Sequence, residues 1–136
     1  MAAELASERK GSPVKVLVVE DNAIDRKLAG MVLTTSGHAV TETTSAEAAI
    51  EAIATNDYDV ILLDLRLPGA DGLAFVRQMK SNPGTERIPI VAVTAYAEQY
   101  PRGDLLAAGC DACIVKPIDT RQLSREIEDA AVKKAR

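Results

Sequence analysis

Short runs of β-branched and aliphatic residues alternate along this chain with segments in which apolar residues recur at helical spacing. The first run, Val14–Val19, precedes a helix-period segment over Ile24–Val32, and later runs occupy 39–43, 59–63, 88–93 and 112–115. Nearly continuous apolar runs are typical of strands that are buried on both faces. Their regular alternation with helices predicts one parallel sheet, with helices on both faces and right-handed crossovers.

Residues that favour helix ends mark the boundaries between these segments. Asn22 can cap the first helix, residues 44–47 have the pattern of a capping box for the second, and Asp119 can cap the last. Pro101 lies where the fourth helix would otherwise begin, so we expect that helix to start late and to end at Gly109.

Composition limits the classes of partner. The 136 residues are 47% hydrophobic and 26% charged, with a net charge of −4, which suits one globular domain and argues against an electrostatic nucleic-acid binder. No apolar run approaches the ~18 residues that span a membrane. Residues 1–13 lack the apolar stretch of a secretory signal. We therefore expect a flexible lead-in over 1–13, a folded domain over 14–132, a tail over 133–136 and a cytoplasmic location without membrane contact.

Polar residues end four of the predicted strands. Glu20 and Asp21 follow the first strand, Asp64 ends the third, Thr94 the fourth and Lys116 the fifth. Ligands of open parallel sheets bind outside the carboxyl ends of the strands. Three carboxylates, one hydroxyl and one ammonium are therefore expected at one edge.

Close carboxylates repel one another unless a cation lies between them. Oxygen ligands suit Mg²⁺, which would also screen an incoming phosphoryl anion and let Asp64 act as the nucleophile. Lys116 would supply a positive charge and Thr94 a hydroxyl donor for the phosphoryl oxygens. Phosphoryl transfer depends mostly on such positioning and charge neutralisation.

The motifs at these strand ends resemble the receiver domain of two-component response regulators. The resemblance covers residues 14 to about 132, and its motifs are Val16-Leu17-Val18-Val19-Glu20-Asp21-Asn22, Asp59-Val60-Ile61-Leu62-Leu63-Asp64, Leu67-Pro68-Gly69, Asp71-Gly72, Val93-Thr94-Ala95 and Val115-Lys116-Pro117. It implies a flavodoxin-like (βα)5 doubly wound sandwich, an α/β fold whose parallel five-stranded sheet has the order 2-1-3-4-5.

The same resemblance implies roles for individual residues. Asp64 would be the phosphoacceptor, and Mg²⁺ would be held by Asp64, by Asp21 directly, by Glu20 through water and by the backbone carbonyl of Arg66. The phosphoryl oxygens would bind to Thr94 and Lys116, and the peptide bond from Lys116 to Pro117 would be cis.

The resemblance also implies partners. A sensor histidine kinase or a histidine phosphotransfer protein would donate the phosphoryl group from a phosphohistidine. The chain would act as a single-domain regulator of the DivK type, contacting a downstream protein, with possible dimerisation on phosphorylation. It would not be an enzyme, apart from slow self-dephosphorylation. The alternatives are a pseudo-receiver that only binds partners, a phosphorelay intermediate and a Mg²⁺-dependent phosphatase or small-molecule phosphotransferase.

One position departs from the family pattern. Receiver domains usually carry Tyr or Phe three residues before the lysine, and here that residue is Cys113. The switch pair of Thr94 and Cys113 therefore lacks a ring that can turn, and we expect signalling to depend on residues 95–103, with Tyr96 and Tyr100. Bulky Arg66 and Tyr96, each two residues after a site residue, predict slow hydrolysis of the phosphoaspartate.

Two further features have plain interpretations. Cys110 and Cys113 form a C-x-x-C pair, which we interpret as packing residues rather than as a redox or zinc motif, because no second pair exists. His38 is expected in a turn, solvated or lightly packed, and not as a phosphodonor.

Overall fold

Five parallel strands form the sheet in the computed structural model, which describes residues 13–67, 70–95 and 101–135. The strands are β1 Lys15–Val19, β2 Ala39–Thr43, β3 Val60–Asp64, β4 Ile90–Thr94 and β5 Ala112–Val115. The helices are α1 Ala23–Thr35, α2 Ala46–Thr55, α3 Gly72–Ser81, α4 Arg102–Ala108 and α5 Thr120–Ala135. The strand order is β2-β1-β3-β4-β5, which confirms the predicted fold and order. A two-residue antiparallel pair, Arg66–Leu67 with Ala70–Asp71, was not predicted.

The alternation of side chains along the strands divides the core into two layers. Leu17, Ile61 and Ile90 point to the layer that contains buried residues of α2, α3 and α4. Val16 and Val91, on the opposite face, pack with buried residues of α1 and α5. Strands β3 and β4 are buried along their whole length, whereas β2 is a partly exposed edge strand, as their sequences predict.

Most predicted helix ends are confirmed. The Asn22 side chain accepts a hydrogen bond from the Asp25 N–H, and the Asp119 side chain accepts one from Arg121. Helix α4 begins only after Pro101 and ends at Gly109, whose φ of 117° suits glycine. The predicted capping box at 44–47 is wrong, because Ser45 rather than the preceding threonine caps α2 and bonds the N–H of Ala48.

Helix α1 turns an unexpected face to the sheet. Its buried residues are Ala29, Gly30 and Leu33. The stripe that carries the helical spacing in the sequence is largely exposed, with Ile24 at 78% and Met31 at 67% exposure. Small residues allow this helix to lie close to the sheet, so its large apolar residues remain on the surface.

The expectation for His38 is wrong, because its ring is buried. Its Nδ1 accepts a hydrogen bond of 3.1 Å from the Val14 N–H, and its Nε2 lies 2.9 Å from Glu128 Oε2. With Nδ1 accepting, Nε2 carries the proton and donates to the carboxylate. The ring therefore joins the start of β1 to α5.

Several predictions concern residues outside the described part of the chain. These are the flexible lead-in over residues 1–12, the Pro68-Gly69 step, Tyr96 and Tyr100 of the expected signalling segment, and the terminal Arg136. Within the described ranges, none of the helices is long and apolar enough to cross a membrane.

Candidate phosphoacceptor and metal site

Asp64 lies at the carboxyl end of β3, at the centre of the sheet, and is only 6% exposed. Its two carboxylate oxygens have different partners. Oδ1 accepts a hydrogen bond of 2.9 Å from the Arg66 N–H, and Oδ2 accepts one of 3.1 Å from Lys116 Nζ. The carboxylate is thus held in a fixed orientation by one backbone donor and one cation.

Lys116 follows β5, and its backbone N–H bonds the carbonyl of Thr94 at 2.8 Å. The peptide bond to Pro117 is cis, as the resemblance implies. Its ammonium lies 2.8 Å from Asp25 Oδ2 and 3.2 Å from Glu20 Oε1, in addition to its bond to Asp64. Burial alone would lower the pKa of Lys116, but the bonds to Asp25 and Asp64 outweigh it and hold the pKa above its usual value. The lysine is therefore a permanent cation at this edge.

Glu20, Asp21 and Asp64 each bring a carboxylate oxygen within 4.8 Å of the others. Glu20 is 5% exposed, while Asp21 is open to solvent. Burial raises the pKa of Glu20 to about 8, the adjacent Asp64 adds to the rise, and Lys116 opposes it. Three acidic groups of this kind fit a hard divalent cation such as Mg²⁺, which would relieve their repulsion.

The loop that carries Glu20 and Asp21 is fixed from α1. Arg26 Nη1 donates to the carbonyls of Glu20 at 3.2 Å and Asp21 at 3.3 Å, and its Nε lies 3.5 Å from Glu42 Oε1 on β2. Gly30 leaves the space for Glu42, because a Cβ at Gly30 would lie 2.5 Å from Glu42 Oε2. Arg26 thus connects the edge strand to the acidic loop.

The structure places Thr94 at the end of β4, fully buried, and Cys113 within β5, 9% exposed. Both cysteines are free and buried. The backbone of Arg66, two residues after Asp64, begins the short antiparallel pair, and its side chain is exposed. The metal, phosphoryl and switch roles assigned to these residues from the sequence stay predictions.

Two contributors to the site were missed. Asp25 and Arg26 lie in the first turn of α1, a helix in which no site residue was predicted. The available signal was the cap at Asn22. A helix that begins there has its first turn beside the carboxyl edge of the sheet, and the two charged residues in that turn were candidates.

Known proteins resemble this chain in sequence and in fold. Residues 16–128 match the family model described as the response regulator receiver domain. The chain is 38% identical over 109 residues to the transcriptional regulatory protein ResD of Bacillus subtilis, covering 80% of this chain and 44% of ResD. It is 31% identical over 116 residues to the polar-differentiation response regulator DivK of Brucella anthropi, covering 85% of this chain and 94% of DivK. The chain thus spans less than half of ResD but nearly all of DivK.

A solved structure adds a metal to the comparison. The receiver domain of a sensor histidine kinase from Pseudomonas aeruginosa PAO1, with a magnesium ion coordinated in the active site cleft, is 31% identical, with a TM-score of 0.80. The alignment covers 88% of this chain and 98% of that one. Receiver domains are signalling switches of two-component systems that bind Mg²⁺ at an acidic site. With its matched sequence, strand order and acidic edge, this chain belongs to the response regulator receiver domain family.

Proposed function

We propose that this chain accepts a phosphoryl group on Asp64 from a phosphohistidine, in a Mg²⁺-dependent reaction, and signals through protein contacts. One observation carries the proposal: the buried Asp64 carboxylate has Lys116 Nζ 3.1 Å from one oxygen and lies in a three-carboxylate cluster within 4.8 Å. An acceptor, a fixed cation and a place for a metal occur together at the edge where open parallel sheets bind ligands.

The transfer itself requires little covalent chemistry from the protein. An oxygen of Asp64 attacks phosphorus, and the new O–P bond forms as the N–P bond to the donor imidazole breaks. The electron pair of the broken bond stays on the imidazole nitrogen, which takes a proton from solvent. Lys116 is already beside Asp64 and can bind a phosphoryl oxygen with little movement.

Glu20, Asp21 and Asp64 would hold the metal, with the Arg66 carbonyl as a further ligand. A bound Mg²⁺ supplies charge neutralisation for the carboxylates and the phosphoryl oxygens. Arg26 fixes the carbonyls of Glu20 and Asp21 and so keeps their side chains directed toward this place.

Thr94 would donate to a phosphoryl oxygen and start the switch. Its full burial means that the hydroxyl must become accessible when the phosphoryl group arrives. Cys113 has no ring to follow that motion, so we propose that the signal leaves mainly through residues 95–103. Amide NMR shifts on adding Mg²⁺ and beryllofluoride would test this, and shifts confined to β5 and α5 would contradict it.

The partners would be a sensor histidine kinase or a histidine phosphotransfer protein, and a downstream protein. The exposed stripe of Ile24, Leu28 and Met31 on α1 supports a protein partner beside the site, because a contiguous exposed apolar surface favours protein contacts. We propose residues 14–132 as the receiver unit, 1–13 and 133–136 as its flanking segments, and the cytoplasm, where such kinases act, as its location. DivK, whose length this chain nearly matches, is the relative whose mode of action we consider the best guide.

An incubation with Mg²⁺ and acetyl phosphate separates the candidate functions. We expect the wild-type chain to take a stable phosphoryl label and Asp64→Asn to take none. The wild-type label should then be lost slowly, and Arg66→Asn should lose its label faster. A wild-type chain without label would support a pseudo-receiver, and rapid continuous release of phosphate would support a phosphatase. Transfer of the label onward to a histidine phosphotransfer protein would favour a phosphorelay intermediate.

A further inference from the structure

Lys116 shares its ammonium among three carboxylates, and the closest of them is not part of the acidic cluster. Asp25 Oδ2 lies 2.8 Å from Nζ, against 3.1 Å for Asp64 and 3.2 Å for Glu20. Asp25 belongs to the first turn of α1, where its backbone N–H is capped by Asn22. An ordered helix end therefore fixes this carboxylate beside the lysine.

An ammonium has three N–H donors and no acceptor. Asp25 and Asp64 each accept a hydrogen bond from it, and Glu20 Oε1 lies 3.2 Å away as a further ion-pair partner, so the N–H donors of Lys116 already face three carboxylates. The phosphoryl group brings three acceptor oxygens and close to two negative charges. Its oxygens would have to displace a present partner of Lys116.

Asp25 is the partner that the site can most easily release. Glu20 and Asp64 belong to the cluster that fits a metal, whereas Asp25 does not. Its side chain is 32% exposed, against 7% for Glu20 and 8% for Asp64, so water can replace the lysine as its partner. Its negative charge also opposes an incoming anion.

We propose that Asp25 is a resting-state counter-ion of Lys116 that restrains phosphorylation of Asp64 and is released when the phosphoryl group binds. This inference rests on the proposed function of Asp64. It makes Asp25 a positioning residue, because it acts through Lys116. Release of Asp25 would also change the first turn of α1, beside the exposed Ile24, and so give the site a second connection to the protein surface.

Initial rates of labelling by acetyl phosphate with Mg²⁺ test the restraint in the full chain. Asp25→Asn keeps an acceptor but removes the charge, so we expect labelling about three- to fivefold faster, the scale of one partly exposed ion pair. Asp129→Asn, an exposed aspartate on α5, is the matched control and should stay within about twofold of wild type. A rate for Asp25→Asn equal to or below that of wild type would overturn the proposal.

A spectroscopic measurement on the wild-type chain tests the release without relying on a variant. With Mg²⁺ and beryllofluoride, the side-chain carboxyl ¹³C resonance of Asp25 should shift, while that of Asp129 should not. An unmoved Asp25 resonance would overturn the proposal even if Asp25→Asn fails to fold. If wild type, like Asp64→Asn, takes no label, the proposed function fails and this inference fails with it; label on wild type with an unchanged Asp25→Asn rate contradicts the inference alone.

Discussion

The two ends of the sheet each hold a partly buried lysine, and the two lysines have different surroundings. At the amino edge, Lys80 Nζ donates to the carbonyls of Glu86 at 3.2 Å and Ile88 at 2.8 Å, and it lies 3.5 Å from Asp111. Asp111 in turn accepts from the Ile90 N–H at 2.8 Å. One cation, one carboxylate and backbone groups form a balanced network that ties α3 to β4 and β5.

At the carboxyl edge, one ammonium faces an excess of negative charge. Lys116 contacts the carboxylates of Glu20, Asp25 and Asp64, and the exposed Asp21 completes the acidic cluster. Such an arrangement is costly unless another cation joins it. The difference suggests that the amino edge is built for stability, whereas the carboxyl edge is built to receive a cation and an anion.

Removal of each lysine should separate these roles and has the largest expected effect. Lys80→Met removes the ammonium from two backbone carbonyls and from Asp111, so we expect a loss of about 2 kcal/mol in the free energy of unfolding, whether or not Mg²⁺ is present. Lys116→Met should lose a similar amount in EDTA and recover much of it with Mg²⁺.

Urea unfolding in EDTA and in Mg²⁺ measures both values, with Lys27→Met on the exposed side of α1 as the control. If Mg²⁺ restored the stability of Lys80→Met as well as that of Lys116→Met, the two edges would not differ in the way described.

The next effect is a pH dependence at the carboxyl edge. Burial raises the pKa of Glu20 from 4.5 to about 8, so between these pH values the unfolded state has lost a proton that the folded state keeps. Metal-free stability should therefore fall as pH rises from about 5 to 8, by at least about 1 kcal/mol.

Glu20→Gln should flatten this slope, whereas Glu47→Gln, an exposed glutamate of α2, should keep it. Unfolding free energies in EDTA at several pH values provide the measurement. A free energy of unfolding that rises between about pH 5 and pH 8 in the wild-type chain would show that the charged form of Glu20 is not destabilised at this edge.

A smaller effect is expected at the support of the acidic loop. A Cβ at Gly30 displaces Glu42, so Arg26 loses its partner and holds the carbonyls of Glu20 and Asp21 less firmly. We expect Gly30→Ala to bind Mg²⁺ about threefold more weakly. Its unfolding free energy should change little, because the helix propensity that alanine gains over glycine, about 1 kcal/mol, offsets the loss of the Arg26–Glu42 ion pair.

Gly103→Ala is the matched control, since its Cβ would meet nothing within 4 Å. Calorimetric titration with Mg²⁺ compares the two variants. Equal affinity in Gly30→Ala and wild type would show that Arg26 does not need Glu42.

The smallest effect concerns the reactivity of the two thiols, which lie away from the acidic cluster. Burial raises the pKa of Cys110 to about 11, with the neighbouring Cys113 adding to it, and burial also raises the pKa of Cys113. Because the thiolate is the reactive form, alkylation of the folded chain near neutral pH should be very slow and should become rapid in urea. Fast alkylation of the folded chain near neutral pH would instead support a redox function for the C-x-x-C pair.

The sequence predicted the parallel order of the sheet and the residues at its carboxyl edge because strand period and strand-end polarity are local signals. It failed where tertiary packing decides. The larger apolar residues of α1 suggested a core stripe, but Ala29 and Gly30 permit closer packing and face the sheet instead. His38 looked like a turn residue, yet Glu128 and the Val14 N–H satisfy its ring in the interior.

The missed site residues have the same explanation. Asp25 and Arg26 reach the edge only because α1 is capped at Asn22, which places its first turn beside Lys116 and the acidic loop. The polarity of strand ends does not predict such a contact, because the contact depends on where the helix lies.

Locating the phosphoryl group tests most directly whether Asp64 is a metal-dependent phosphoacceptor. The full chain is treated with acetyl phosphate in Mg²⁺ or in EDTA, and the modified residue is identified by reductive trapping of the acyl phosphate and peptide mass spectrometry. We predict modification at Asp64 that requires Mg²⁺ and is absent in Asp64→Asn. Modification at another residue, or equal modification of Asp64 in EDTA, would contradict the account of a metal-dependent phosphoacceptor at the carboxyl edge.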